Sequence, residues 1–233
     1  MKFGKTIVTD GLVLTLDAAN TKSYPGSGTN VKDLSDNGND GTLVNGPIFD
    51  SDNGGIFNFD GVDDEMKITM ASTISFTNTD NFTMGLWVNK TGTPVSGNVN
   101  GLFVTTGGGR FGIDYNFEAS QIRAGIRNTA NGQYTTKFDT NLEGWNHCVF
   151  TYETENTSGI KLYTQGVLRS SITTVGLGDF TSTGEFRIGA TYGLGGTIKR
   201  LIGEISNARI YNRALTSAEV LQNYNAQKGR FGL

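Results

Sequence analysis

The chain is poor in the residues that staple, break or catalyse. It has one cysteine, one histidine, three prolines and four methionines among 233 residues. One cysteine closes no internal disulfide and builds no thiolate cluster, so Cys148 reads as a small buried apolar residue. Charged residues are 18% of the chain, and 19 basic against 22 acidic residues leave a net charge of −3. That balance gives no electrostatic footprint for a phosphate backbone and excludes nucleic acid as a partner. No run approaches the ~20 apolar residues of a membrane span, so membrane insertion is not expected. In the opening MKFGKTIVTDGLVLTL, Asp10 interrupts the apolar stretch and no small-residue cleavage site follows, so no signal peptide is read there. Synthesis in a cytosol follows, with release by lysis as a route outward.

Glycine, at 33 residues, is what the chain has in excess, without the three-residue period of collagen. The excess sits in turns. Asp10-Gly11, Asn37-Gly38, Asp40-Gly41, Asn45-Gly46, Asn53-Gly54, Asp60-Gly61, Asn100-Gly101 and Asn131-Gly132 are dipeptides that tolerate positive φ. Between them, apolar residues alternate with period two: Phe82, Met84, Leu86 and Val88; Phe111, Ile113, Tyr115 and Phe117; Ile122, Ala124 and Ile126, the last three interleaved with Arg123 and Arg127. Each segment predicts a half-buried antiparallel strand. Further strands are expected at 11–17, 55–60, 65–70, 101–106, 145–152, 159–165, 185–190 and 200–212. So many short strands predict an all-β, two-sheet antiparallel sandwich. One helix is expected, where Thr216-Ser217-Ala218-Glu219 forms a capping box, Val220, Leu221 and Tyr224 make an apolar stripe, and Gly229 stops it. Its expected place is the rim of the sandwich. The chain reads as one domain over 11–233, preceded by an N-terminal arm over 1–10.

Several segments in order carry a family pattern: GLVLTLDAAN, KSYPGSGTN, DLSDNGNDGTL, FNFDGVDDEMKI, FTMGLWVN, WNHCVFTY, KLYTQGVLRSS, FRIGA and GEISNARIYNRALTSAEV. From about residue 11 to 226 the chain resembles the laminin-G-like, concanavalin A-like lectin/glucanase superfamily. It is most similar to modules of bacterial surface proteins and of structural proteins of tailed bacteriophages, including those of marine cyanobacteria, and the terminal YNAQKGRFGL fits the latter. The resemblance implies a jelly roll with a short C-terminal helix, often binding sugars and often holding calcium near its loops. Two positions depart from the pattern: Val31 replaces an aromatic residue, and Ser206-Asn207 replaces an acidic pair.

The glucanase branch hydrolyses glycosides with carboxylates alternating along one strand, because a retaining mechanism needs two carboxyls ~5 Å apart. Glu153-Thr154-Glu155 has part of that spacing but sits in a polar loop, and Asp63-Asp64-Glu65 is contiguous. His147 shares a strand face with Trp145 and Val149, and its neighbour Cys148 faces the other way, so neither a triad nor a Cys-His dyad is expected. Gly107-Gly108-Gly109 and Gly193-Leu194-Gly195-Gly196 lack the P-loop setting and read as hairpin turns. The sequons at Asn81, Asn89 and Asn156 carry no weight without a secretory route.

For calcium, Asp36-Asn37-Gly38-Asn39-Asp40-Gly41 fails as an EF-hand, with Gly38 at its third position and Pro47 at its twelfth. A looser site from Asp33, Asp36, Asp40, Asp60 or Asp63 remains, against the alternative that these side chains bond their own turn amides. For sugar, three regions read as loops mixing aromatic and planar polar groups: 110–116, 128–134 and 191–197. Arg110, Asp114, Asn116, Arg127, Tyr134 and Tyr192 are the candidate ligands, and Arg123 with Arg127 would leave room on an outer sheet face for an acidic glycan. Three functions stay open. The first is a non-catalytic virion surface module, on a tail fibre, baseplate or capsid, that binds a host cell-surface glycan. The second is a decoration subunit contacting other virion structural proteins, as a homo-oligomer, without a glycan. The third is a glycoside hydrolase.

Overall fold

The computed structural model describes residues 6–93, 99–107, 109–116, 118–182, 184–192 and 198–233. Its strands are β1 (Leu12–Asp17), β2 (Asn30–Val31), β3 (Gly41–Val44), β4 (Ile48–Asp50), β5 (Ile56–Asp60), β6 (Glu65–Thr69), β7 (Phe82–Lys90), β8 (Val99–Thr105) and β9 (Arg110–Asn116). There follow β10 (Gln121–Arg127), β11 (Gln133–Asp139), β12 (Trp145–Tyr152), β13 (Ile160–Thr164), β14 (Val167–Ile172), β15 (Glu185–Ile188), β16 (Ala190–Tyr192), β17 (Ile198–Arg200) and β18 (Ile202–Tyr211). One helix, α1 (Ser217–Gln227), comes last before a 3-10 turn at Lys228–Phe231.

Two antiparallel sheets face each other, as the alternation predicts. The first runs β14-β13-β12-β7-β18-β5-β4, with β1 also on β18; the second runs β11-β10-β9-β8-β15-β6-β3-β2; β16 and β17 form a separate ribbon. Phe82, Met84, Leu86 and Val88 of β7 and Cys148, Phe150 and Tyr152 of β12 turn inward to meet Phe111, Ile113 and Tyr115 of β9 and Ile122, Ala124 and Ile126 of β10. Across the interior the rings of Phe82 and Phe111 lie 4.6 Å apart, so aromatic packing joins the sheets directly. Phe117, expected to continue the β9 alternation, lies outside the described residues.

The long strand β18 organises the first sheet. It pairs with β7 along one edge, while its other edge is divided between β5, over Ile202–Ile205, and β1, over Asn207–Tyr211. The register shifts between Ile205 and Asn207, and there the Ser206 hydroxyl donates to the Gly55 carbonyl at 3.3 Å. Gly55 has φ 147°, and a Cβ on it would stand 2.3 Å from the Ala18 carbonyl oxygen. Only glycine lets the chain pass there.

Two expectations about the chain ends are corrected. The helix begins with the predicted capping box, but it packs on the outer face of the first sheet rather than on the rim. Trp87 and Trp145 turn outward from their strands, and Phe231 of the closing 3-10 turn stacks on them at 4.2 and 4.6 Å. Gly229 does not stop the helix; the chain turns at Gly232, in the left-handed region at φ 73°. The segment preceding β1, expected as an N-terminal arm, lies against β18 and the helix in its described part, 6–10. Val8 is buried, its amide donates to the Asn223 side chain at 2.8 Å, and its carbonyl accepts from the Tyr211 hydroxyl at 3.0 Å. Residues 1–5 lie outside the described residues.

Candidate functional site

Strands β9, β10 and β11 place the candidate ligand residues in fixed rows. Arg110 stands opposite Arg127, Gly112 opposite Gly125, Asp114 opposite Arg123, and Asn116 opposite Gln121. On the far side of β10, Gln133, Thr135, Lys137 and Asp139 continue those four rows. The intervening residues point to the core, so these twelve all face outward. Arg110–Asn116, expected as a loop, is therefore a strand, because its alternation holds through Asn116.

The rows differ in what they offer. Arg123 donates to both carboxylate oxygens of Asp114, at 2.6 and 3.0 Å, a two-pronged pair that fixes both side chains. Asn116 accepts from the Ala119 amide at 3.2 Å and shapes the turn after β9. At the opposite end Arg127 donates through Nη2 to Asn131 at 2.8 Å, while its Nε is buried without an acceptor. Burial and then the charge of Arg127 push the Arg110 guanidinium below its ordinary pKa. Between these rows Gly112 is buried and Gly125 half-buried, and a Cβ on them would stand 2.4 Å from the Phe103 carbonyl oxygen and 2.6 Å from that of Tyr134.

Tyr134 lies opposite the core residue Ile126, half-buried, with its ring packed against the interior and its hydroxyl donating to the Gly176 carbonyl at 3.4 Å. Tyr192 closes β16, but its side chain and residues 193–197, including the second glycine cluster, lie outside the described residues. The first cluster does turn between β8 and β9, with Gly107 at φ 104°; Gly108 lies outside the described residues.

Residues 60–221 match the family described as the concanavalin A-like lectin/glucanases superfamily. The chain belongs to this family. Among solved structures it is similar to the receptor-binding domain of botulinum neurotoxin D, with a TM-score of 0.74, 15% identity, 94% of this chain covered and 53% of that one. The binding domain of Paraclostridial Mosquitocidal Protein 1 gives 0.72 and 14%, covering 94% and 52%. The botulinum neurotoxin serotype D ligand-binding domain in complex with N-acetylneuraminic acid gives 0.73 and 14%, again covering 94% and 52%. The chain spans about half the length of these structures, and at such identities the likeness shows the lectin-like fold alone. No curated protein matches the chain significantly. No helix among the described residues is long and apolar enough to cross a membrane.

Within this lectin-like sandwich the acidic residues separate into two groups. Asp33 accepts from the amides of Thr15 and Ser35, each at 2.9 Å, from the Ser35 hydroxyl at 2.7 Å and from the Asn39 amide at 3.1 Å. Asp40 accepts from the Asp33 amide at 2.9 Å and faces Lys32 at 3.8 Å, and Asp36 sits at φ 66° in the turn between them. Asp33 and Asp40 thus bond nearby amides, and so does Asp60, which accepts from the Val62 amide at 2.8 Å. Asp60, Asp63 and Asp64 instead converge, with one ligand atom from each within 4.8 Å of the others. Asp64 is buried, which pushes its pKa upward, and it accepts from the Asp60 amide at 3.0 Å. Carboxylate oxygens suit a hard cation such as calcium, and Asp60 and Asp63 of the expected set are the two that converge in this way among the described residues. Asp64, outside the expected set, joins Asp60 and Asp63 because the turn brings the three carboxylates to one side.

A second outward cluster was also missed by sequence reasoning. Arg187 of β15, 5% exposed, donates to Glu65 of β6 at 2.7 Å and to Glu185 at 2.5 Å. The guanidinium bridges the two carboxylates, one through each terminal nitrogen. Glu153, in the sequence pair with Glu155, is bonded to Lys161 and accepts from Asn156 at 3.0 Å. His147 and Cys148 are both buried and face opposite sides of the sheet, consistent with structural roles.

Proposed function

We propose that this chain is a non-catalytic carbohydrate-binding module, using the outer face of β9, β10 and β11 as its ligand surface. The observation that carries the reading is the row arrangement on that face: arginine, carboxylate and amide side chains in register, with the Arg123–Asp114 pair fixed by two hydrogen bonds, on rigid strands of a lectin-like sandwich. The solved neighbours of the same fold include a domain in complex with N-acetylneuraminic acid, which agrees with a glycan ligand. Calcium, implied by the resemblance, would be held by Asp60, Asp63 and Asp64, and its contribution there is to order the turn between β5 and β6.

The setting we infer is the surface of a tailed-phage virion, on a tail fibre, baseplate or capsid, with a host cell-surface glycan as ligand and other virion proteins as neighbours. It rests on the order of the sequence segments and the terminal YNAQKGRFGL. A glycan array that includes lipopolysaccharides of candidate hosts, run with calcium and with chelator, tests the binding. Retention on at least one carbohydrate supports it; no retention by folded protein in either condition overturns it. Mass spectrometry of purified particles tests the setting.

A second reading, a decoration subunit without a glycan, is favoured by one feature. The edge strand β14 exposes Val167 and Leu168, at 48% and 45%, beside Leu221 of α1 at 43%. Sedimentation showing a stable homo-oligomer, together with an empty array, would favour it.

A further inference from the structure

The hairpin between β12 and β13 strings an amine, a carboxylate and a carboxamide on one chain of hydrogen bonds. Glu153 is bonded through one oxygen to the Lys161 ammonium, and its other oxygen accepts from Nδ2 of Asn156 at 3.0 Å. The Oδ1 of the same Asn156 accepts from the Ser158 amide at 2.8 Å. Glu153, Asn156 and Lys161 are all half-buried. Because both partners meet the same carboxylate, one on each oxygen, the lysine nitrogen and the asparagine carboxamide are neighbours.

The turn that carries them is held from two sides. The Glu153 amide donates to the Gly159 carbonyl at 2.9 Å, and the Gly159 amide donates to the Asn156 carbonyl at 3.2 Å. Thr174, beyond β14, donates from its hydroxyl to the Glu153 carbonyl at 2.6 Å and from its amide to the Asn156 carbonyl at 2.8 Å. Its hydroxyl oxygen also accepts from the Asn156 amide at 2.9 Å. Lys161 is fixed by β13, where it lies opposite Thr151 of β12 and Ser171 of β14. Reacting groups mounted in this way have already met the entropy cost of coming together.

We propose that Lys161 and Asn156 join in an intramolecular isopeptide bond, with Glu153 as the catalytic residue. Glu153 takes a proton from the Lys161 ammonium, which frees the lone pair of Nζ to attack Cγ of Asn156. The negative charge that develops on Oδ1 meets the Ser158 amide already bonded there. Protonated Glu153 then donates to Nδ2, the Cγ–Nδ2 bond breaks and ammonia leaves. The regenerated carboxylate takes the surplus proton from the new amide nitrogen and passes it to the departing ammonia. In sum one C–N bond forms, one breaks and one ammonium ion is released, with no oxidant, reductant or further reactant. The product ties the turn to β13 and removes the charge of Lys161.

The test is intact-mass spectrometry of the full chain, followed by tryptic mapping. The expected mass is lower than that of the sequence by one ammonia. The map should contain a peptide that trypsin leaves uncut at Lys161 and that yields no backbone fragments between residues 156 and 161. Lys161→Arg keeps the positive charge but supplies no nucleophile, and Glu153→Gln cannot relay the protons; both should show their full sequence mass. A succinimide at Asn156 also loses ammonia, but it needs only the following backbone amide and persists in Lys161→Arg. Full sequence mass in the folded wild type, or an ammonia loss that persists in Lys161→Arg, overturns the isopeptide bond.

Discussion

His147 shows how burial decides chemistry at the scale of one side chain. It is 4% exposed on the outer face of the first sheet, with its ring 5.2 Å from Trp87 and 6.1 Å from Tyr224. Burial, and then the charge of Arg209, hold its pKa down at about 3. In the unfolded chain a histidine titrates at about 6.5. Between those values the unfolded state takes up a proton that the native state refuses, so stability is complete above about pH 6.5 and falls as pH drops towards 3. The slope approaches about 1.4 kcal/mol per pH unit for one proton. Urea unfolding between pH 7 and 5, above the range where ordinary carboxylates titrate, should show this loss in the wild type. His147→Phe should flatten it. An unchanged slope in the variant would mean that the imidazole is protonated in the fold, against the burial argument. The sequence carried half of this: alternation put His147 on a face with Trp145 and Val149, but it could not say that the outward face is covered.

What covers it is an element, the C-terminal helix with its 3-10 turn. The capping box was legible because it is a local motif: the Glu219 amide donates to the Thr216 hydroxyl at 3.3 Å, and the Thr216 amide donates back to Glu219 at 2.8 Å. The docking site was not, because it depends on aromatic residues far apart in the chain that happen to face outward. Trp87, Trp145 and Phe231 meet only in three dimensions, and Arg230 secures the turn by donating to Asp17 at 2.8 Å and to the Asn53 and Gly55 carbonyls. The strands divide in the same way. β10 is legible since every second residue is buried, whereas the edge strand β14 carries exposed residues on both faces and lacks that signal. Because the only two tryptophans in the chain lie under Phe231, the docking has its own optical report. Phe231→Ala should shift tryptophan emission to the red and cost about 3 kcal/mol, with the β-sheet circular dichroism retained. Emission that stays at the wild-type wavelength would show that the turn does not shield the rings.

Across the whole molecule, the sequence named many of the residues on the ligand face but not their grouping. Arg110, Asp114 and Arg127 could be picked out by type, yet whether an arginine is paired depends on register, and register puts Asp114 beside Arg123 and Arg110 beside Arg127. Tyr134 was chosen for its ring and turned inward because its neighbour in the sheet is Ile126. The same dependence on register bears on catalysis. Glu65 and Glu185 are 120 residues apart in the numbering, and Arg187 links them only when β15 pairs with β6. The pairing also supports the fold, since removing the arginine leaves Glu65, 3% exposed, without its 2.7 Å partner and with only the more distant Lys67 ammonium at 3.6 Å among the described residues. Breaking a buried pair from one side costs about 3–5 kcal/mol. Arg187→Met should therefore lower the urea midpoint sharply, whereas Arg187→Met combined with Glu65→Gln should recover part of the loss. Neither variant nor the wild type should release reducing ends from β-glucans. Release by the wild type, abolished by Glu65→Gln, would instead identify the cluster as a catalytic pair and make this lectin-like module a hydrolase.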